Sequence, residues 1–225
     1  MIRQRGNILF LILLAVVLFA ALSYAVTQST RGGGNDASNE KLSTIVAHMM
    51  QHGSAIENFL MRAKLVDNVP EYGFDFVGTY SNSLANATCT TTACKVFSSN
   101  GGSVASYRLP DGYWDTAWAS SHANESFFVT PVEGIGTPAA DVLLIYRALT
   151  LNLCSAVNKA MNINIDLANT AEGLGDATSY SGTMTSIPTG GSVLGDNNIG
   201  HKGQRTACFR ISSGFYAFYY VVLAR

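Results

Sequence analysis

Several residue groups in this chain have types and spacing that could do chemistry. Cys89 and Cys94 could close a disulfide or hold half of a metal site, and Cys154 and Cys208 could pair over a long stretch of chain. His48 and His52 stand at i and i+4, the spacing at which two imidazoles share one metal ion. Tyr113, Trp114 and Trp118 form an aromatic cluster able to stack on a sugar ring, and Gly134-Ile135-Gly136-Thr137-Pro138-Ala139 superficially follows the glycine pattern of a dinucleotide turn. Gly195-Asp196-Asn197-Asn198 offers oxygens that suit calcium, without the spacing of a calcium loop.

Each group also has a plainer reading. No Glu follows His48 as a metalloprotease helix requires, and His122 and His201 lie in remote loops, so the histidines read as part of a helix face. The residues after the glycine pattern offer no strand with an acidic end; Thr137 reads as a cap and Pro138 as the first turn of a helix reaching about Met161. That helix is expected to bury Val142, Ile145, Tyr146, Leu149, Leu153 and Val157. Asp111 and Asp115 read as turn residues, and the sequence contains no G-x-S-x-G elbow. It nominates no catalytic residue, no metal site and no cofactor, with Trp114 and Trp118 as the candidate ligand-binding pair.

Charged residues make up 13% of the chain against 48% hydrophobic, which excludes a disordered chain, and the net charge of −1 gives no basic field to gather nucleic acid. The elements follow from periodicity. Leu42, Val46, Met49, Gly53, Ile56, Leu60 and Ala63 step by three and four, the stripe of a helix laid on a core, with Asp36 or Ser38 as its cap. Gly32-Gly33-Gly34 precede it and should break or melt the chain as a hinge. Strands are expected over Tyr72 to Tyr80, Val104 to Leu109, Phe127 to Val132, Arg205 to Ile211 and Phe215 to Leu223, with a long solvated loop from Thr170 to Gln204. The last strand is apolar on both faces and should be central in its sheet.

The N-terminus directs where the chain goes. Ile8 to Val26 carries no charge and lies just after Arg3 and Arg5, enough at about 1.5 Å per residue to cross a bilayer core with the short tail in the cytoplasm. Three fates are open: cleavage after Ala25 as a signal peptide, with Ser23 and Ala25 as the small residues; retention as a plain anchor; or a more specific processing. Arg3-Gln4-Arg5-Gly6, followed at once by Asn7-Ile8-Leu9-Phe10-Leu11-Ile12-Leu13-Leu14, resembles the leader of type IV prepilin-like proteins.

That resemblance implies cleavage between Gly6 and Asn7 by a prepilin peptidase, and an apolar helix that serves first in the bacterial inner membrane and then against other pilin-like subunits. Leu11 stands where most members carry Glu, a departure tolerated in some minor pilins and tip pseudopilins, so a minor subunit of a type IV pilus or secretion-like filament is implied rather than an enzyme. The expected organisation is a basic leader over 1–6, a membrane and assembly helix with its glycine hinge over 7–35, and an extracytoplasmic globular head over 36–225. The fold class is α+β: a hydrophobic helical stem plus an amphipathic helix packed on an antiparallel β-sheet head.

All four cysteines follow the membrane segment, so an oxidising compartment and two disulfides are expected, with three connectivities open. The Cys89–Cys94 spacing closes a small loop easily, which leaves Cys154 for Cys208; the second bridge resembles the one that pins the C-terminal region of many pilins. Two other functions compete: an anchored or secreted binding or adhesion module, in which Trp114 and Trp118 would matter, and a periplasmic hydrolase whose residues meet only in three dimensions.

Overall fold

The structure is a computed structural model that describes the chain except residues 1–7, 32, 118–123, 169–170, 173–177, 183, 185–192, 196–199, 201 and 212–213. The processing pair Gly6–Asn7, Trp118, His122 and His201 therefore lie outside the described residues. The chain divides into two compact units, Met1–Leu42 and Ser43–Arg225.

The first unit is helical. Helix α1 spans Ile8–Arg31, and helix α2, Gly33–Val66, runs on into the second unit, to which its residues from Ser43 belong. The start expected at Asp36 or Ser38 is therefore corrected to Gly33: Gly33 and Gly34 are helical, although each costs about 1 kcal/mol there, because propagation adds one hydrogen bond per residue once a helix is nucleated. Of the expected hinge only Gly32 falls between the helices, outside the described residues. The described side chains of α1 from Ile12 to Tyr24 are exposed, large apolar ones such as Phe19 and Leu22 among them. Among the described residues no helix is long and apolar enough to cross a membrane; the described side chains of α1 make a shorter run than Ile8 to Val26.

The second unit is α+β. Strands β1 (Ser126–Thr130), β2 (Asp141–Leu149), β5 (Thr206–Ile211) and β6 (Tyr216–Leu223) form an antiparallel sheet in the order β5-β6-β2-β1. Two short strands extend it, β3 (Ala171–Glu172) parallel to β5 and β4 (Thr178–Ser179) antiparallel to β1. Helix α3, Leu151–Ala160, precedes them, with Thr150 accepting from the Leu153 N–H as its N-cap.

The final strand is central, as its two apolar faces require. The helix expected from Thr137 to Met161 is instead strand β2 followed by α3. Asp141-Val-Leu-Leu-Ile-Tyr-Arg-Ala-Leu is an apolar run with Asp141 at its start and Arg147 inside it, which a buried strand and a buried helix both fit; flanked by β1 and β6 it has cover on both sides as a strand. Val142, Ile145, Tyr146, Leu149, Leu153 and Val157 are all buried as expected, though on two elements. Thr137 caps no helix: its hydroxyl accepts from Ala139 N–H in a local turn. Gly136, at φ 56°, is needed there because a Cβ would lie 2.0 Å from the Arg225 carbonyl oxygen.

The segments expected as strands at Tyr72 to Tyr80 and Val104 to Leu109 also differ. The first opens with a single 3-10 turn, Glu71–Gly73, and the second is extended chain; among the described residues neither forms a ladder, and isolated bridges pair Asp75 with Lys95 and Arg108 with Asn124. Asn86 holds the first in place by donating to the Tyr72 and Phe74 carbonyls, so side-chain bonds replace a ladder.

One sheet face packs on Val132, Ile163 and Leu194 from the connecting segments. The other carries Tyr146, Phe218 and Tyr220, and α2 seats there through Gly53, where a Cβ would stand 2.6 Å from Cγ of Tyr220. One turn on, Glu57 accepts the Tyr220 hydroxyl at 2.9 Å and the Arg205 guanidinium at 2.6 Å. The α3 side is locked by the Cys154–Cys208 disulfide, and by Asn158, whose amide donates to the Cys208 carbonyl and accepts its N–H. The second bridge is Cys89–Cys94. Closing 54 residues contributes about 4 kcal/mol and closing five about 2 kcal/mol, so the α3 bridge is the stronger constraint.

Gly53→Ala, which in an ordinary helix would stabilise by about 1 kcal/mol, is expected to lower the melting temperature here because the methyl meets the Tyr220 ring. In the Tyr220→Ala background the same change should be neutral or stabilising; thermal unfolding of the four variants of this double-mutant cycle checks the pairing.

Candidate functional site

The polar centre of the second unit is a carboxylate with no access to solvent. Glu125, one residue before β1, is 0% exposed, and its two oxygens divide between two donors. His52 Nε2 lies 2.5 Å from Oε2, and Ser106 Oγ donates to Oε1 at 2.7 Å. Ser106 Oγ in turn accepts from Tyr80 N–H at 2.8 Å. The main chain of Glu125 is held as well, donating to the Tyr80 carbonyl and accepting from Asn82 N–H. The three groups come from α2, the extended segment and the start of β1, so the cluster ties three parts of the unit together.

Its order matters chemically. A nucleophilic serine needs an imidazole between itself and the carboxylate, to take the proton and be oriented in turn. Here the carboxylate stands between hydroxyl and imidazole, so the Ser106 proton points at Glu125 and has no path to His52. The arrangement fixes both side chains in place.

Above the cluster lies a groove of 590 Å³ between α2 and residues 102–107. The helix contributes His48, Gln51, His52, Asn58 and Arg62, and the opposite wall is the chain itself. Tyr107 closes one end, its ring 5.9 Å from that of His52 and 6.3 Å from that of His48. Burial pushes the Tyr107 phenol above its ordinary value, and its hydroxyl has no hydrogen-bond partner among the described residues.

The sequence-nominated residues are distributed elsewhere. His48 and His52 share the groove wall, but the His52 Nε2 is engaged by Glu125, and among the described residues no three ligating side chains gather to hold a metal. Trp114 is half-buried beside Leu149, with the Arg108 guanidinium 5.9 Å from its ring centroid, and its indole N–H is buried without a partner. Asp111 pairs with Arg108, and Asp115 accepts from Ala117 N–H as a turn residue does. Cys89, Cys94, Cys154 and Cys208 are all in disulfides, which removes the Cys-x4-Cys half-site.

Sequence reasoning missed Glu125 and Ser106. The available signal was His52, a polar residue on the edge of an apolar stripe, which needs a buried partner, and Glu125, a lone acid directly before an apolar strand.

A second buried carboxylate, Asp141, opens β2. It accepts from Arg225 N–H at 2.9 Å and Val132 N–H at 3.1 Å, yet burial outweighs these bonds and raises its pKa to about 6. The Arg225 side chain meanwhile joins Glu71, whose pKa is lowered, chiefly by its bond to Lys64. Comparison with protein-family models, curated proteins and solved structures returns no match to this chain.

Two outcomes follow from these carboxylates. His52→Leu strands Glu125 without one donor and is expected to cost about 3 kcal/mol, whereas His52→Leu with Glu125→Leu should recover most of it; urea unfolding of the cycle reads this. For Asp141, a folded pKa above the unfolded one favours the protonated native state. Stability should therefore rise as pH falls from 7 through 6, being fully gained only near 4. Glu71, shifted the other way, weakens the fold only below about 4.5. Urea midpoints at pH 7 and pH 5 should show the gain, and Asp141→Asn should abolish it.

Proposed function

We propose that the chain is a minor pilin-like or pseudopilin-like subunit, held in the bacterial inner membrane by its N-terminal helix before assembly, with its globular unit on the far side. The observation that carries this reading is Arg3-Gln4-Arg5-Gly6 followed, after the single residue Asn7, by the uncharged run Ile8 to Val26. It is supported by an α1 on which large apolar side chains such as Phe10, Leu13, Phe19 and Leu22 are exposed: such a surface calls for lipid or other apolar helices around it. An α2 laid on an antiparallel sheet, and a disulfide tying α3 to β5, are the head architecture that the resemblance implies.

On this reading Leu11 removes the carboxylate that aligns successive subunits, which places the protein at a filament tip or at low abundance. An anchored binding module is the second reading, favoured by the groove over Glu125. The two separate at the leader. Gly6→Leu is expected to leave the precursor unprocessed in the inner membrane, read as retention of the Met1 peptide by mass spectrometry of the purified chain. Normal processing and export of that variant would remove the pilin reading and promote the binding module.

A further inference from the structure

The groove between α2 and residues 102–107 has a feature that neither filament assembly nor the buried Glu125 cluster uses. Six consecutive residues, Gly102 to Tyr107, line it. Gly102 and Ser103, the latter at φ 53°, belong to a turn; beyond it the four consecutive lining residues Val104 to Tyr107 present main chain to the groove, since side chains of an extended segment alternate between two sides. The N–H groups of Gly102, Ser103 and Val104 are engaged by the carbonyls of Lys95, Ser98 and Val96. Beyond them Ala105, exposed, has neither its N–H nor its carbonyl bonded among the described residues. Ser106 and Tyr107 are pinned by their side chains, through Glu125 and the two histidines, so this free edge is held at a fixed distance from the helix.

The dimensions suit a strand. From His48 to Arg62 the helix rises about 21 Å, facing a wall that turns at Gly102 and Ser103 and then runs on through Tyr107. Five or six extended residues fill that length. The charge is one-sided as well. No Asp or Glu lines the groove, while Arg62 does; its guanidinium lies 5.7 Å from the Phe59 ring centroid and pairs with no carboxylate among the described residues.

We infer that the groove binds an extended peptide segment of five or six residues bearing a carboxylate, its backbone pairing with the free edge at Ala105 and its carboxylate meeting Arg62. This is strand addition to an exposed edge, in which main-chain bonds provide affinity and the charged contact provides direction along the groove. A free sugar acid would use Arg62 but gain nothing from the Ala105 edge, which is why the peptide is favoured.

Hexapeptides from a randomised phage library, selected on the full-length chain in nonionic detergent, should converge on β-prone sequences with Asp or Glu at one end. The selected peptide, resynthesised with a fluorescein label, should bind by anisotropy and weaken at least tenfold against Arg62→Glu and against Ala105→Pro. Its counterpart with Lys in place of the acid should regain binding to Arg62→Glu, which shows that this exposed-site variant is folded and that the charge contact is direct. Selection without acidic convergence, or binding of the selected peptide unchanged by Arg62→Glu, would overturn the inference. Displacement by N-acetylneuraminic acid with Ala105→Pro without effect would assign the groove to a free carboxylate and overturn it equally.

Discussion

The two central strands leave the second unit no free choice of architecture. β2 and β6 are apolar on both faces, so the sheet they form must be covered twice, and a chain this poor in charge has no other way to keep Tyr146, Phe218 and Tyr219 from water. One cover is loose, assembled from connecting segments around Val132, Ile163 and Leu194. The other is the helical layer, and its fit is decided at one point, where the absence of a side chain at Gly53 lets α2 come down on the Tyr220 ring. Glu57, Arg205 and the Tyr220 hydroxyl then form a polar rim that fixes the rotation of the helix about that point. The position of every α2 side chain on the groove wall follows from this contact.

Seen from the helix, the Glu125 cluster is the matching constraint on the opposite wall. A buried carboxylate is tolerable only when its oxygens are satisfied, and the donors it recruits come from α2 and from the extended segment. By bonding both, it sets how far apart they stand. The 102–107 chain is not part of the sheet and has no ladder to hold it; Ser106 on Glu125 and Tyr107 against the histidines take that role. The cavity between them is thus a product of satisfied polar groups on its floor, with an unpaired main-chain edge above.

What could be read from the residues depended on how much of the physics was local. The α2 stripe was legible because Ile45, Met49, Ile56 and Leu60 repeat at helical spacing, and β6 because alternate positions on both faces are apolar. The disulfide partners followed from the short Cys89–Cys94 spacing. The β2 run was misread because an uninterrupted apolar stretch has no period of its own; only pairing with β1 and β6, far away in sequence, decides it. Tyr72 to Tyr80 and Val104 to Leu109 have strand-like residues but meet few partners, so composition promised a ladder that the topology does not supply. The candidate site was the least legible, since Glu125 gains its meaning from His52, 73 residues earlier.

The seating of α2 also orders events in time. Glu57 and Tyr220 are 163 residues apart, and β6 is both the strand that α2 rests on and the one that joins β2 to β5. Until β6 has been synthesised, α2 has no surface to cover, β2 lacks one neighbour, and the Cys208 thiol that must meet Cys154 is not yet present. Such a unit cannot fold piecewise from its N-terminal side. Its layers close only when the final strand arrives, so the last residues made are the ones that decide whether the earlier ones find their places.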